Sequence, residues 1–130
     1  MNAVISSLLI LCILPIVCAW IGGYYRRQQL GTIDNKEPRI QAAQLTGAGA
    51  RAVGAQSNCW EALGVFSAAI LAVFISGVPL DSIANQAIAY TVLRVVYIPL
   101  YIGNKDMLRS LVFIVGMGIC MYLFYLALSN

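Results

Sequence analysis

Arg51, Asn58 and Glu61 carry a cation, an amide and an acid into an apolar run that continues to Leu80. At about 100° per residue on a helix, Arg51, Gly54, Asn58, Glu61 and Val65 share one face, while Leu63, Phe66 and Ile70 point elsewhere. Further along, Tyr90, Arg94, Tyr97 and Tyr101 fall on one stripe, with Val92, Val95 and Val96 off it. A full charge at the centre of a bilayer costs roughly 2.5–3.5 kcal/mol on insertion scales, so such residues face a partner helix or a wet cavity. The tyrosine stripe is rich in donors and suits an anionic group; the opposing stripe adds a second cation, an amide and an acceptor. Arg26, Arg27 and Arg109 ring the mouth of the hollow the two stripes would enclose. The chemistry suggested is binding of a small ligand with carboxylates and at least one ammonium. Glu61 and Arg94 come out at similar depths, roughly 10–12 Å, and are expected to pair. Two other readings stand beside this one. Asn58, Glu61 and Arg94 could glue helices together, where interhelical polar contacts average ~0.6 kcal/mol. An ion or proton path is the third, although one acid and one arginine offer no relay.

Four apolar segments must position these residues. Residues 1–25 contain no charge before Arg26-Arg27, and 20 or more residues at ~1.5 Å each cross a ~30 Å hydrocarbon core. The spans are expected at about 3–25, 53–78, 83–101 and 108–128, within a single transmembrane domain covering residues 1–130. The first segment lacks the basic start and small-residue cleavage site of a signal peptide. Pro15 is expected to kink it, and Trp20, Tyr24 and Tyr25 to form an interfacial belt. Between Arg26 and Pro38 the chain is polar, with turn residues Gly31, Asp34-Asn35 and Pro38, and a helix should resume near Pro38 or Arg39. The small-residue pairs Ala43/Gly47 and Ala50/Gly54 predict a helix packed closely on another backbone, with a flexible linker as the rival reading. The third span ends near Pro99, and Gly103-Asn-Lys-Asp106 makes the last turn.

Of the 130 residues 61% are hydrophobic and 10% charged, which excludes a soluble domain of this size. The net charge of +3 is gathered in two loops, a membrane-orientation signal rather than a nucleic-acid-binding one. Loop one holds Arg26, Arg27, Lys36 and Arg39, and loop three holds Lys105 and Arg109; loop two holds only Asp81. The positive-inside rule therefore puts loops one and three in the cytoplasm and both termini outside. There is no histidine, which removes His-based triads, metal sites and proton shuttles. Cys12, Cys18, Cys59 and Cys120 lie inside apolar segments without C-x-x-C spacing, and each is expected to be a buried, hydrophobe-like residue.

The pattern Arg51…Asn58-x-x-Glu61, Arg94-x-x-Tyr97-x-x-x-Tyr101 and Leu108-Arg109-Ser110 resembles the MAPEG family, the membrane-associated proteins of eicosanoid and glutathione metabolism. The resemblance runs from about Arg26 to the C-terminus, and Ile-Pro-Leu-Tyr101 and Leu-Arg-Ser-Leu-Val-Phe are similar to its bacterial branch, which would make the membrane a bacterial inner one. It implies an all-α, four-helix integral membrane bundle assembled as a homotrimer, with glutathione held between neighbouring subunits near the cytoplasmic face. Carried over position by position, Arg51, Asn58, Glu61, Tyr97 and Tyr101 match glutathione-contacting positions, and Arg26 or Arg27 matches a first-helix arginine. Arg94 joins the binding set through its place on the tyrosine stripe. After a one-residue shift, Arg109 matches the arginine that stabilises the thiolate. The implied activity is that of a glutathione-dependent transferase or peroxidase acting on a lipophilic electrophile or hydroperoxide from the bilayer. The alternative is a non-catalytic scaffold or lipid- or small-ligand-binding protein that keeps the fold. The chain departs from the eukaryotic members at three places. Gly54 stands where they have a second arginine, Ala50 where they have an acid, and Ala62 where they have a tyrosine.

Overall fold

Apolar length decides the architecture. The computed structural model describes residues 1–130 as five α-helices and one 3₁₀ turn, with no strand. They are α1 (Asn2–Leu30), α2 (Pro38–Ala42), α3 (Gly47–Ile75), the 3₁₀ turn Leu80–Ile83, α4 (Ala84–Ile102) and α5 (Asp106–Ser129). All but α2 and the turn are long and apolar enough to cross a membrane. The result is a bundle of four antiparallel-connected membrane helices, as expected.

The helix ends differ from the expected spans in an informative way. The 29 residues each of α1 and α3 amount to about 43 Å, more than a ~30 Å hydrocarbon core requires. Their surplus lies at one end of the bundle, where α1 carries Arg26 and Arg27 on to Gly31 and α3 begins at Gly47 rather than near Val53. Every lysine and arginine except Arg94 belongs to this end, here called the arginine-rich end. α1 continues unbroken through Pro15, which is buried. Trp20 and Tyr24 are exposed on its surface.

The polar stretch between α1 and α3 is built around one side chain. Gln41 donates to the Thr32 carbonyl at 2.8 Å and accepts from the Asp34 N–H at 2.9 Å and from Arg26 Nη1 at 3.3 Å. The Asp34 carboxylate accepts from the Lys36 N–H at 2.7 Å, closing an Asx turn. Gln29 then clamps Thr46 at the entry to α3, accepting from its N–H at 3.0 Å and donating to its carbonyl at 3.2 Å.

Small residues do let α3 approach α1, but not the pairs singled out from spacing. Ala43 follows α2, Gly47 has φ 54° at the start of α3 with open space around it, and Ala50 is exposed. The packed stripe is instead Gly49, Ala52, Ala55 and Cys59, all buried. A Cβ on Gly49 would lie 3.0 Å from Tyr25 Cβ and 3.3 Å from Leu45 Cβ. Deeper in the bundle Phe66 stacks on Tyr90 with ring centroids 4.5 Å apart and planes 5° from parallel, an arrangement worth about 0.5–1.5 kcal/mol beyond its buried area. The core includes Val4, Leu11, Val73, Ile83, Cys120 and Leu123. Cys12 corrects the expectation for the cysteines: it is exposed on α1, whereas Cys18, Cys59 and Cys120 are buried and all four are free thiols.

Gly49→Val should therefore force α1 and α3 apart. A loss of about 1–3 kcal/mol is expected from overpacking, read as an earlier unfolding midpoint in detergent. Gly64→Val, where a side chain meets open space, should change the midpoint far less.

Candidate functional site

The contact between α3 and α4 is a ladder of polar pairs. Tyr90 Oη donates to the Ala62 carbonyl at 3.0 Å, Arg94 Nη2 donates to Asn58 Oδ1 at 2.6 Å, and Arg51 Nε donates to the Ile102 carbonyl at 2.8 Å. Advancing along α4 moves the partner back along α3, as an antiparallel pair requires. Between the last two rungs Tyr101 lies against Gly54, where a Cβ would fall 2.5 Å from the phenol oxygen. Only a glycine at 54 leaves Tyr101 its present position.

Arg94 is the buried member of this ladder, 3% exposed. Its guanidinium lies over the Tyr97 ring, 4.1 Å from the centroid, and no carboxylate comes within 4 Å of it. The expected Glu61–Arg94 ion pair is thus not formed. Asn58 stands between them, accepting from Arg94 and donating through Nδ2 to Glu61 Oε2 at 3.4 Å. The physical reason is register. Asn58 sits one turn nearer the arginine-rich end than Glu61, level with Arg94 across the helix pair, and it takes the guanidinium. Glu61 is left exposed at the rim.

These residues open onto a cleft of about 570 Å³ walled by α3, α4 and α5. Asn58 and Glu61 form one wall, Tyr97 and Tyr101 the floor, and Arg109 the third side. Arg109 lies over the Tyr101 ring, 4.4 Å from its centroid, and has no acidic partner; the only ion pair in the chain joins the Met1 amino group to Asp81. Tyr97 and Tyr101 meet edge to face at 5.6 Å, so the two rings support both guanidinia. A smaller chamber of about 180 Å³ continues inward from the same rim, past Asn58, Glu61 and Phe113, to Arg94, Tyr90 and Gly116.

Of the residues singled out from the sequence, Asn58, Glu61, Tyr97, Tyr101 and Arg109 are brought together in the cleft wall, with Arg94 directly behind. Arg26, Arg27 and Arg51 are not. Arg51 spends its Nε on the end of α4, and Arg27 is exposed. Arg26 belongs to a different cleft of about 590 Å³ on the other flank of α3, lined also by Arg39, Gln56 and Trp60. Ser57 borders both clefts. Ser57, Phe113 and Ile114 were not anticipated as cleft residues. Phe113 lies one turn beyond Arg109 and could have been found from that spacing; Ser57 and Ile114 carry no signal that separates them from their neighbours.

Asn58→Leu removes the only side-chain acceptor of a buried guanidinium and should cost about 2–3 kcal/mol in a denaturant titration of the detergent-solubilised protein. Glu61→Gln touches an exposed group and should cost less than about 1 kcal/mol. Equal losses would restore the direct pairing of Glu61 with Arg94.

No curated protein and no solved structure matches the chain. The model of one family, the MAPEG family, matches residues 3–129. That match takes in all four membrane helices and every residue of the cleft, and the chain accordingly belongs to the MAPEG family.

Proposed function

We propose that the α3–α4–α5 cleft binds glutathione and presents its thiol to a lipophilic electrophile or hydroperoxide at the membrane, in a homotrimer with the arginine-rich end in the cytoplasm. The observation that supports this most is the cleft itself. About 570 Å³ lies within the usual 300–1,000 Å³ of small-molecule sites, and its wall combines an unpaired guanidinium, two phenols, an amide and one exposed carboxylate. Glutathione offers the complementary set: two carboxylates, an ammonium and amides. Arg109 suits a carboxylate or thiolate, Glu61 suits the ammonium, and Asn58 and the tyrosine hydroxyls suit the peptide groups.

Bound glutathione would supply a thiol nucleophile. A free thiol near pKa 8.5 is mostly protonated at neutral pH, and an adjacent guanidinium favours the anion. Arg109 is the one cleft cation without a hydrogen-bonded partner, held over Tyr101 and free to serve that role. Arg94 cannot, because Asn58 and the Tyr97 face hold it behind the wall. Its part is to hold the Asn58 oxygen, which turns the amide N–H₂ toward Glu61 and the cleft. The trimer bears on Arg26. With clefts on both flanks of α3, a cyclic head-to-tail assembly would bring the α1-side cleft of one copy against the α3–α4–α5 cleft of the next, adding Arg26 to a site it does not reach within its own chain.

Calorimetry with millimolar glutathione on the detergent-purified protein should show saturable heat, and Arg109→Ala should then lower conjugation of a generic aryl halide by about 100-fold or more with the assembly intact. Absence of both heat and a thermal shift would overturn the proposal. Binding with unchanged turnover in Arg109→Ala would remove Arg109 from thiolate stabilisation.

A further inference from the structure

The inner chamber is chemically unlike the cleft that leads to it. Its wall is mostly apolar, with Ala62, Val65, Phe113, Gly116, Met117 and the ring of Tyr90, and Asn58 and Glu61 stand at its mouth. The Tyr90 hydroxyl is already committed to the Ala62 carbonyl. What the chamber does have is Arg94, and Arg94 Nε is a buried donor with no hydrogen-bond partner. Buried polar groups are hydrogen-bonded in nearly all proteins, and buried cations are paired. Arg94 departs from both: its Nε is unbonded although Nη2 is held by Asn58, and no carboxylate lies within 4 Å. An orphaned N–H on an uncompensated cation, beside an apolar hollow, specifies what would complete it.

We propose that the chamber is a second binding site, for a small monoanion with an apolar body, such as an aryl or short-chain carboxylate, whose oxygen accepts from Arg94. Size, polarity and charge each limit the occupant. A benzene ring fills an engineered cavity of about 150 Å³, so about 180 Å³ takes one ring or a chain of a few carbons and no peptide. The other donor at the mouth, Asn58 Nδ2, is already given to Glu61, so Arg94 is left to hold one acidic group. Glu61 at the shared rim repels a second negative charge, which selects a monoanion over a dianion. The room exists because residues 62 and 116 are small; a Cβ on Gly116 would already lie 3.4 Å from Tyr90 Cε2. The site is distinct from the glutathione cleft and does not depend on glutathione binding.

The test titrates 4-fluorobenzoate into the full-length protein in nanodiscs without glutathione, followed by ¹⁹F line broadening. Saturable binding is expected, with the neutral 4-fluorobenzamide weaker by at least about tenfold. Val65→Phe, which fills the chamber but does not touch the outer cleft, should weaken 4-fluorobenzoate by at least about tenfold, and Arg94→Met should do the same. Arg109→Gln should leave it within about threefold, because Arg109 borders only the outer cleft. Arg94→Met leaves Asn58 without its donor, so if that variant fails to fold, Val65→Phe alone decides. No binding at millimolar concentration, equal binding of the amide, or binding that survives Val65→Phe but is lost in Arg109→Gln would each overturn the proposal.

Discussion

The hydrogen bond from Arg94 to Asn58 is the interaction the rest of the site depends on. It places a guanidinium among apolar helices and gives it the Asn58 side-chain oxygen at 2.6 Å, the Asn58 carbonyl at 3.5 Å and one aromatic face. Any slip of α4 along α3 would strand that charge. The same register puts Tyr90 on the Ala62 carbonyl and Arg51 on the end of α4, so the three bonds act as one gauge of helix position. A membrane supplies little hydrophobic drive between helices, which leaves polar contacts and close packing to choose the register. The cleft opens beside this seam, where α5 joins α3 and α4.

From that seam outward the helices divide their tasks. α3 is the hub, packed by small residues on α1 and by polar rungs on α4. α5 buries only Gly116, Cys120 and Leu123 along its length and leaves Leu111, Ile114, Val115 and Tyr125 exposed. In water so much exposed apolar surface would be a liability; against lipid chains or a second copy it is the natural outer face. α5 nevertheless supplies Arg109 and Phe113, so one wall of the cleft rests on the helix least embedded in the chain's own core. That arrangement makes the cleft's geometry sensitive to whatever covers α5.

Much of this could be read from residue order. Four spans follow from apolar length, and the two polar stripes do face one another because a charge in an apolar helix has few places to go. Glu61 shows where that reasoning stops. Helical spacing places Asn58 and Glu61 on one face but does not say which of them is level with Arg94, and a one-turn difference moves the contact from acid to amide. The small-residue pairs failed for a related reason. Ala43/Gly47 has the right spacing for a helix but straddles the break between α2 and α3, and nothing in composition distinguishes it from the stripe that begins at Gly49. Gln41 and Gln29 look like ordinary loop polarity, yet they tie the loop to both flanking helices through bonds that only the folded chain brings into range.

Gly54 and Ala62 take on a physical meaning from the same seam. The missing side chain at 54 is the space into which the Tyr101 phenol fits, since even a methyl there would meet its oxygen at 2.5 Å. An arginine at that position and Tyr101 in its present place exclude each other. Ala62 is likewise a small residue in the wall of the inner chamber that Arg94 also lines. Gly54 leaves the Tyr101 hydroxyl its place at the outer cleft. Ala62 borders the apolar room behind it, next to a cation that lacks a counterion. Arg109 thus stands at the outer cleft and Arg94 behind it, a second guanidinium with no carboxylate within 4 Å.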